Sequence, residues 1–463
     1  MCTHLLSQQH RRRLLWEKLR LLQCHFTWNV EFEDQVDVEH LLQFLTYKTE
    51  FTPYHNHGTY TALKAFLYHR QKRYCEALKT LKEAEMFLAI DQLTNITCHI
   101  LLIYGNYAWV YYHLSNYDMT NLYLHRIQRI CQMMSSPEPY SVKTGEILAQ
   151  KGWSLLAAGF RNGPKAKQCF EMALRQDLFN LQFWSGLAVS LYATWEHLQT
   201  QEFWGKAKEL LEGIVLMQPG NYEMKVYLAT LLCRISEQRV NHLLEEVVEQ
   251  SRNPEVLRKV ARLYMFMPQS LPLAISILKE AIALAPTYDI LHYDLGMCYR
   301  YQMERGSPEE RAASFKPAIE SFQRAVEVNS LFFDPMLELA KLYGMEVPDQ
   351  EEEVYANLAE KAPHTSASCR QALCLQWGDF LLQKKGLKDK ASEKYMAGLL
   401  IAGGHSKEKD QLVSRLVDLA KKFQEESEVG HAEAIRSFLQ AQGLREAPAQ
   451  RQRPWWLSYR ALR

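Results

Sequence analysis

The chain has 463 residues, 47% hydrophobic and 23% charged, and its 54 Lys and Arg against 53 Asp and Glu leave a net charge of +1. So much apolar content excludes a disordered chain, and no run approaches the ~20 apolar residues of a membrane span. The charge balance excludes a uniformly basic nucleic-acid binder and leaves room only for a local basic surface.

The chain starts Met1-Cys2-Thr3-His4-Leu5-Leu6 and soon reaches Arg11-Arg12-Arg13. It lacks the apolar core of a signal peptide, so a cytoplasmic location is expected. Residues 1–57 are helical in period but carry no repeat grammar, and read as an N-terminal cap. In Pro53-Tyr54-His55-Asn56-His57-Gly58 the two histidines have metal-ligand spacing. No Cys or carboxylate accompanies them, and the flanking Pro and Gly predict a turn.

From residue 58 the sequence repeats with a period near 34 residues, a bulky–small–Tyr helix followed by an Ala–large–Ala helix. Ala65 and Tyr68 precede Ala77, Leu81 and Ala84. Ala108 and Tyr111 precede Thr120, Leu124 and Ile127. Ala166, Phe170 and Ala173 mark a further second helix. Trp184, Leu187 and Ala188 precede Ala207, Leu211 and Ile214. Leu257, Ala261 and Tyr264 precede Ala274, Leu278 and Ala281. Leu295-Gly296-Met297-Cys298-Tyr299 precedes Ala318, Phe322 and Ala325. Ala340 with Tyr343, and Gly378 with Ala391 and Tyr395, close the series. Small residues let paired helices approach and large ones fill the space between pairs, so the expected fold is an all-α superhelix of tetratricopeptide-type repeats with a concave groove. Residues 58–240 form the N-terminal and middle repeats, 241–442 the C-terminal repeats, and 443–463 a basic tail containing Pro and Trp. Two connections look long, around 194–203 and 304–315.

No phosphate loop, dinucleotide fingerprint, nucleophile elbow or metalloprotease motif occurs. The ten cysteines form no C-x-x-C pair and mostly flank apolar helical residues, so they read as reduced core thiols. No active site, cofactor or metal is therefore expected. Glu245-Glu246 and Glu351-Glu352-Glu353 read as solvated helix faces. Binding surfaces are more promising. Arg258 and Arg262, four apart, define an exposed stripe of the groove suited to phosphate, unless they pair with Glu255 and Asp294. Arg300 follows on the next first helix. Trp28, Trp153, Trp184 and Trp377 stand at positions suited either to the core or to base stacking.

Four segments go further: Cys24-His25-Phe26-Thr27-Trp28-Asn29, Tyr104-Gly105-Asn106-Tyr107-Ala108-Trp109-Val110-Tyr111-Tyr112-His113, Gly152-Trp153-Ser154-Leu155-Leu156 and Leu295-Gly296-Met297-Cys298-Tyr299-Arg300. With these the chain closely resembles the interferon-induced proteins with tetratricopeptide repeats, from about residue 14 to about 400. The resemblance implies an interferon-induced cytosolic antiviral effector of innate immunity. Its implied partners are foreign single-stranded RNA, related repeat proteins and further copies of itself. It also implies that Glu33 and Arg258 line a phosphate site, that Trp153 stacks on a cap guanine, and that Arg262 and Arg300 are basic groove residues. Several family positions differ: Ala157 and Ala193 replace a lysine and an arginine, Tyr293-Asp294 replaces His-Gln, and Asp37 and Leu41 stand where polar groups are expected. Each charge-assisted contact to phosphate contributes roughly 1.5–3 kcal/mol, so triphosphate or cap selectivity is expected to be weak. The competing reading is a protein–protein scaffold with little RNA affinity. At the C-terminus, Tyr459-Arg460-Ala461-Leu462 has one residue fewer than the family's Tyr-x-x-x-Leu assembly motif, so that mode of assembly is expected to be lost or altered.

Overall fold

The computed structural model describes residues 2–32, 38–51, 56–90, 96–233, 235, 238–267, 269–346, 348–362, 365–403 and 406–444. Glu33, Asp37, His55 and the tail motif at 459–462 lie outside them.

The elements are α1 (Cys2–Leu19), α2 (Val38–Phe51), α3 (His57–Arg70), α4 (Tyr74–Ile90), α5 (Ile96–His113), α6 (Tyr117–Met133), α7 (Gly145–Ala158), α8 (Gly163–Leu174), α9 (Leu181–Leu198), α10 (Gln201–Met217), α11 (Tyr222–Cys233), α12 (Arg239–Gln250), α13 (Pro254–Phe266), α14 (Leu271–Leu284), α15 (Asp289–Arg305), α16 (Pro308–Val328), α17 (Phe333–Glu346), α18 (Pro348–Lys361), α19 (Ala367–Gln383), α20 (Lys388–Leu400), α21 (Ser406–Glu425) and α22 (Val429–Ala441). A 3-10 turn, Phe160–Asn162, joins α7 to α8. No strand occurs among the described residues. The fold is all-α and built of tetratricopeptide-type helix pairs. Among the described residues, 2–32 and 41–256 form one compact unit, and 38–40 with 257–444 a second.

The repeat grammar works through close approach of a small residue on one helix to an aromatic ring on its neighbour. Phe170 on α8 is fully buried. A Cβ added to Gly152 on α7 would lie 2.6 Å from its ring, and one added to Gly186 on α9 only 2.1 Å away. In the second unit Gly296 meets Phe322 at 2.5 Å and Gly378 meets Tyr395 at 2.3 Å in the same sense. Interiors packed this tightly accept no extra methyl without moving a neighbour.

Several sequence expectations are corrected. The connections expected to be long are only two residues each, because α9 runs on to Leu198 and α15 to Arg305. Gln199 ends α9 in the left-handed region at φ 57°. Ser307 and Glu310 form a reciprocal capping box that starts α16 at once. His57 and Gly58 belong to α3 rather than to a turn. The helix pairs α11–α12 and α21–α22 carry too little of the repeat pattern to be read from sequence. Glu351 is buried rather than solvated, where it accepts from the Tyr355 hydroxyl at 3.0 Å and from Lys384 at 2.6 Å. No described helix is long and apolar enough to cross a membrane.

Candidate nucleic-acid interface

In the first unit, three of the four distinctive sequence segments meet in one buried network. His25 follows α1, Asn106 lies on α5 and Ser154 on α7, and all three are buried. The Asn106 side-chain amide donates to the Ala62 carbonyl at 3.0 Å and to His25 Nδ1 at 2.9 Å. Its oxygen accepts from the His25 backbone N–H at 3.3 Å. Both amide protons are thus used, and Nδ1 accepts. The imidazole proton therefore sits on Nε2, which donates to Ser154 Oγ at 3.0 Å. Burial pushes the His25 imidazole down to about 3 from its ordinary 6.5, so the ring is neutral at physiological pH.

A pH dependence follows from that shift. Folded His25 gives up its proton more readily than unfolded His25, so its contribution to stability is complete above pH ~6.5. Below that it is lost at about 1.4 kcal/mol per pH unit until the folded pKa is reached. His69, pushed down to about 4 by burial and then by His113, acts in the same direction. Urea unfolding between pH 7.5 and 5.5 is expected to show stability falling with pH over this window. A flat profile would exclude a buried neutral His25.

The network also positions Trp153. Gly152 is clamped on Phe170 and Ser154 on His25, so both neighbours of Trp153 are fixed. The indole is half-buried and stands edge-on to Phe170, with centroids 5.2 Å apart and planes at 71°. It is held on one side and partly open. The segment after Trp28 is pinned nearby in the chain order: Asn162 donates to the Glu31 carbonyl at 2.7 Å and accepts from the Glu31 N–H at 3.3 Å. Lys165, bonded to the Glu31 carboxylate at 2.5 Å, holds that carboxyl below its usual range. Ala157 is half-buried, whereas Ala193 is fully buried. A Cβ on Gly163 would lie 2.7 Å from Thr194 N and 3.0 Å from Ala193 C, so α8 and α9 approach too closely for a long cation at position 193. The other tryptophans divide. Trp28 lies in the core, while half-buried Trp184 donates to the Leu178 carbonyl at 2.8 Å, and the half-buried Trp377 ring has the Lys394 ammonium 3.3 Å from its centre.

The arginines lie in the second unit, and the expected exposed stripe is not exposed. Arg258 is 2% exposed and Arg262 9%. Arg258 Nε donates to Asp294 Oδ2 at 2.9 Å, and Arg262 Nη1 lies 3.7 Å from Asp294 Oδ1. The period of α13 placed both arginines on one face correctly, but α15 brings Asp294 against that face. Arg300 is also matched by acids, 3.5 Å from Glu304 on its own helix and 3.5 Å from Glu338 on α17. All three arginines thus lie against carboxylates of their own unit, which reduces the net charge they offer a phosphate. Asp294 was visible in sequence as a departure; Glu338 was not, since nothing local links it to Arg300. No metal-binding cluster of His, Cys, Asp or Glu occurs among the described residues.

No protein-family model matches the chain. It is 30% identical over 430 residues to the interferon-induced protein with tetratricopeptide repeats 2 of Cricetulus griseus, covering 89% of this chain and 87% of that protein. It is 32% identical over 347 residues to the antiviral innate immune response effector IFIT1 of Macaca fascicularis, covering 71% of each. Among solved structures, the human IFIT1 dimer with PPP-AAAA aligns with a TM-score of 0.64 at 27% identity, over 93% of this chain and 95% of that one. The human IFIT1 dimer with m7Gppp-AAAA aligns with a TM-score of 0.65 at 26% identity, over 92% and 98%. On this identity and coverage, the chain belongs to the family of interferon-induced proteins with tetratricopeptide repeats.

Proposed function

We propose that this chain is an interferon-induced antiviral effector of innate immunity that acts in the cytoplasm by binding foreign single-stranded RNA, and that it performs no catalysis. The observation that carries the reading is the contrast between its two candidate contacts. Trp153 offers a partly open ring on a rigidly held turn of α7, while Arg258 and Arg262 already face Asp294. Stacking and backbone contact would then dominate, with little dependence on a 5′-triphosphate or cap. On the family resemblance, Glu33, Arg262 and Arg300 are proposed as further RNA contacts. The similarity to human IFIT1 structures that contain PPP-AAAA or m7Gppp-AAAA supports RNA as the ligand. Those structures are dimers, which supports assembly with further copies or with related repeat proteins.

The test is a titration with RNAs matched except for a triphosphate or hydroxyl 5′ end. Trp153→Ala is expected to cost roughly 1–3 kcal/mol of binding with little change in salt dependence, its fold verified by circular dichroism. The two ends are expected to bind within about tenfold of each other, a difference of about 1.4 kcal/mol. Strong triphosphate preference would show that other residues rebuild the phosphate site. Failure of the folded protein to bind either RNA at low salt would favour the scaffold reading, to which the acid-matched arginines also point.

A further inference from the structure

We infer that the outer surface of α1 carries a second single-stranded nucleic-acid site, centred on Trp16 and flanked by Arg12, Arg13 and Arg20. Residues 10–20 hold five Arg and Lys against the single acid Glu17. Arg12, Arg13 and Arg20 lie four before, three before and four after Trp16, so they surround it on the helix surface. Arg20 keeps this register because its N–H still bonds the Trp16 carbonyl at 3.1 Å. All three arginines are exposed, and Trp16 is 43% exposed, an unusual setting for a large aromatic side chain.

The ring is mounted rather than loose. Trp109 meets it edge-on, with centroids 5.0 Å apart and planes at 86°, and Tyr112 lies 6.0 Å away. The Arg12 guanidinium sits 6.0 Å over the Tyr112 ring, with Nε 3.4 Å from its hydroxyl. Among the described residues no carboxylate pairs with Arg12 or Arg13. The nearby acids are otherwise engaged, Asp118 by Arg11 and Glu17 by Arg20. The Arg20–Glu17 pair is solvent-exposed on both sides, so it holds little and is readily exchanged for a phosphate.

A flat ring within one helical turn of three guanidinium groups matches the alternation of base and phosphate along a single strand. A lipid surface fits less well. Among the described side chains of α1, Leu15 and Leu19 are spent on packing within the first unit's core, and only Leu14 stays exposed beside Trp16, whereas an interfacial helix must lay a broad apolar stripe into the bilayer.

The experiment uses the full chain, with oligouridine carrying a hydroxyl 5′ end and, separately, phosphatidylserine vesicles. Trp16→Ala is expected to weaken oligouridine binding about tenfold, while Trp16→Tyr stays near wild type because it keeps a stacking ring. Arg12→Ala with Arg13→Ala should flatten the log–log salt slope by about 1.4. Equal losses in Trp16→Ala and Trp16→Tyr, or a lowered melting temperature that accounts for the loss, would overturn the site. So would unchanged RNA binding in all three variants, or binding to vesicles in place of RNA. The groove reading is separable: loss in Trp153→Ala but not in Trp16→Ala defeats only the α1 site, and the reverse defeats only the groove.

Discussion

Arg258→Ala is expected to lower the stability of the second unit by about 3–5 kcal/mol, because it leaves the buried Asp294 carboxylate without its closest charge partner. Both side chains of the pair are only 2% exposed and bond at 2.9 Å. Arg262, 3.7 Å from the other carboxylate oxygen, compensates only in part. Asp294→Asn should destabilise by a similar mechanism, removing the buried carboxylate charge that Arg258 and Arg262 face. Replacing both together, Arg258→Met with Asp294→Leu, should recover most of the loss, since a well-packed apolar pair of similar volume is often as stable as a buried ion pair. Urea unfolding of these proteins compares the broken pair with its apolar replacement, and adding the Arg258→Ala/Asp294→Asn double variant closes a cycle that gives the coupling energy. The transition of the second unit must be followed by itself, because a chain of two compact units need not unfold in one step. If Arg258 instead served RNA directly, Arg258→Ala would reduce RNA affinity while leaving the unfolding midpoint unchanged. That outcome would sink the ion-pair account.

Asn106→Ala should be comparably damaging in the first unit. It strands two buried groups at once, the His25 N–H and the His25 Nδ1, and removes a second donor from the Ala62 carbonyl, which keeps its bond within α3. Each orphan costs about 1–3 kcal/mol, and partial relaxation brings the expected total to about 2–4 kcal/mol. Asn106→Asp is the sharper variant. It preserves volume but turns an amide donor into an acceptor facing Nδ1 and a carbonyl. At neutral pH it should be nearly as unstable as the alanine variant. As pH falls towards 6 it should gain stability, because a proton taken up by His25 restores a donor between the two groups. Wild type moves the opposite way over that interval. Parallel pH profiles for the two proteins would contradict the assigned tautomer. Since Ser154 hangs from the same imidazole and adjoins Trp153, the Asn106 variants should also loosen the platform proposed for RNA.

The helix pairs were legible in the sequence because their signal is local. Gly296 and Phe322, or Gly152 and Phe170, lie within one repeat, and the pairing of a small residue with a large ring directly encodes close helix approach. Family membership was legible too, because the segments around His25, Asn106, Trp153 and Gly296 are residue-specific. Their common purpose was not. His25 lies 81 residues from Asn106 and 129 from Ser154, and no period connects them; only the folded core brings three segments onto one imidazole. Likewise, helical spacing put Arg258 and Arg262 on one face of α13 but could not say whether water or a neighbouring helix covers that face. Asp294, 36 residues from Arg258, covers it from α15 and turns an apparent cationic stripe into a buried ion pair. The short connection at 199–200 was hidden for a related reason. A left-handed residue, Gln199, lets α9 continue until it must reverse, and a non-glycine residue in that conformation is held by the surrounding packing rather than by its own preference.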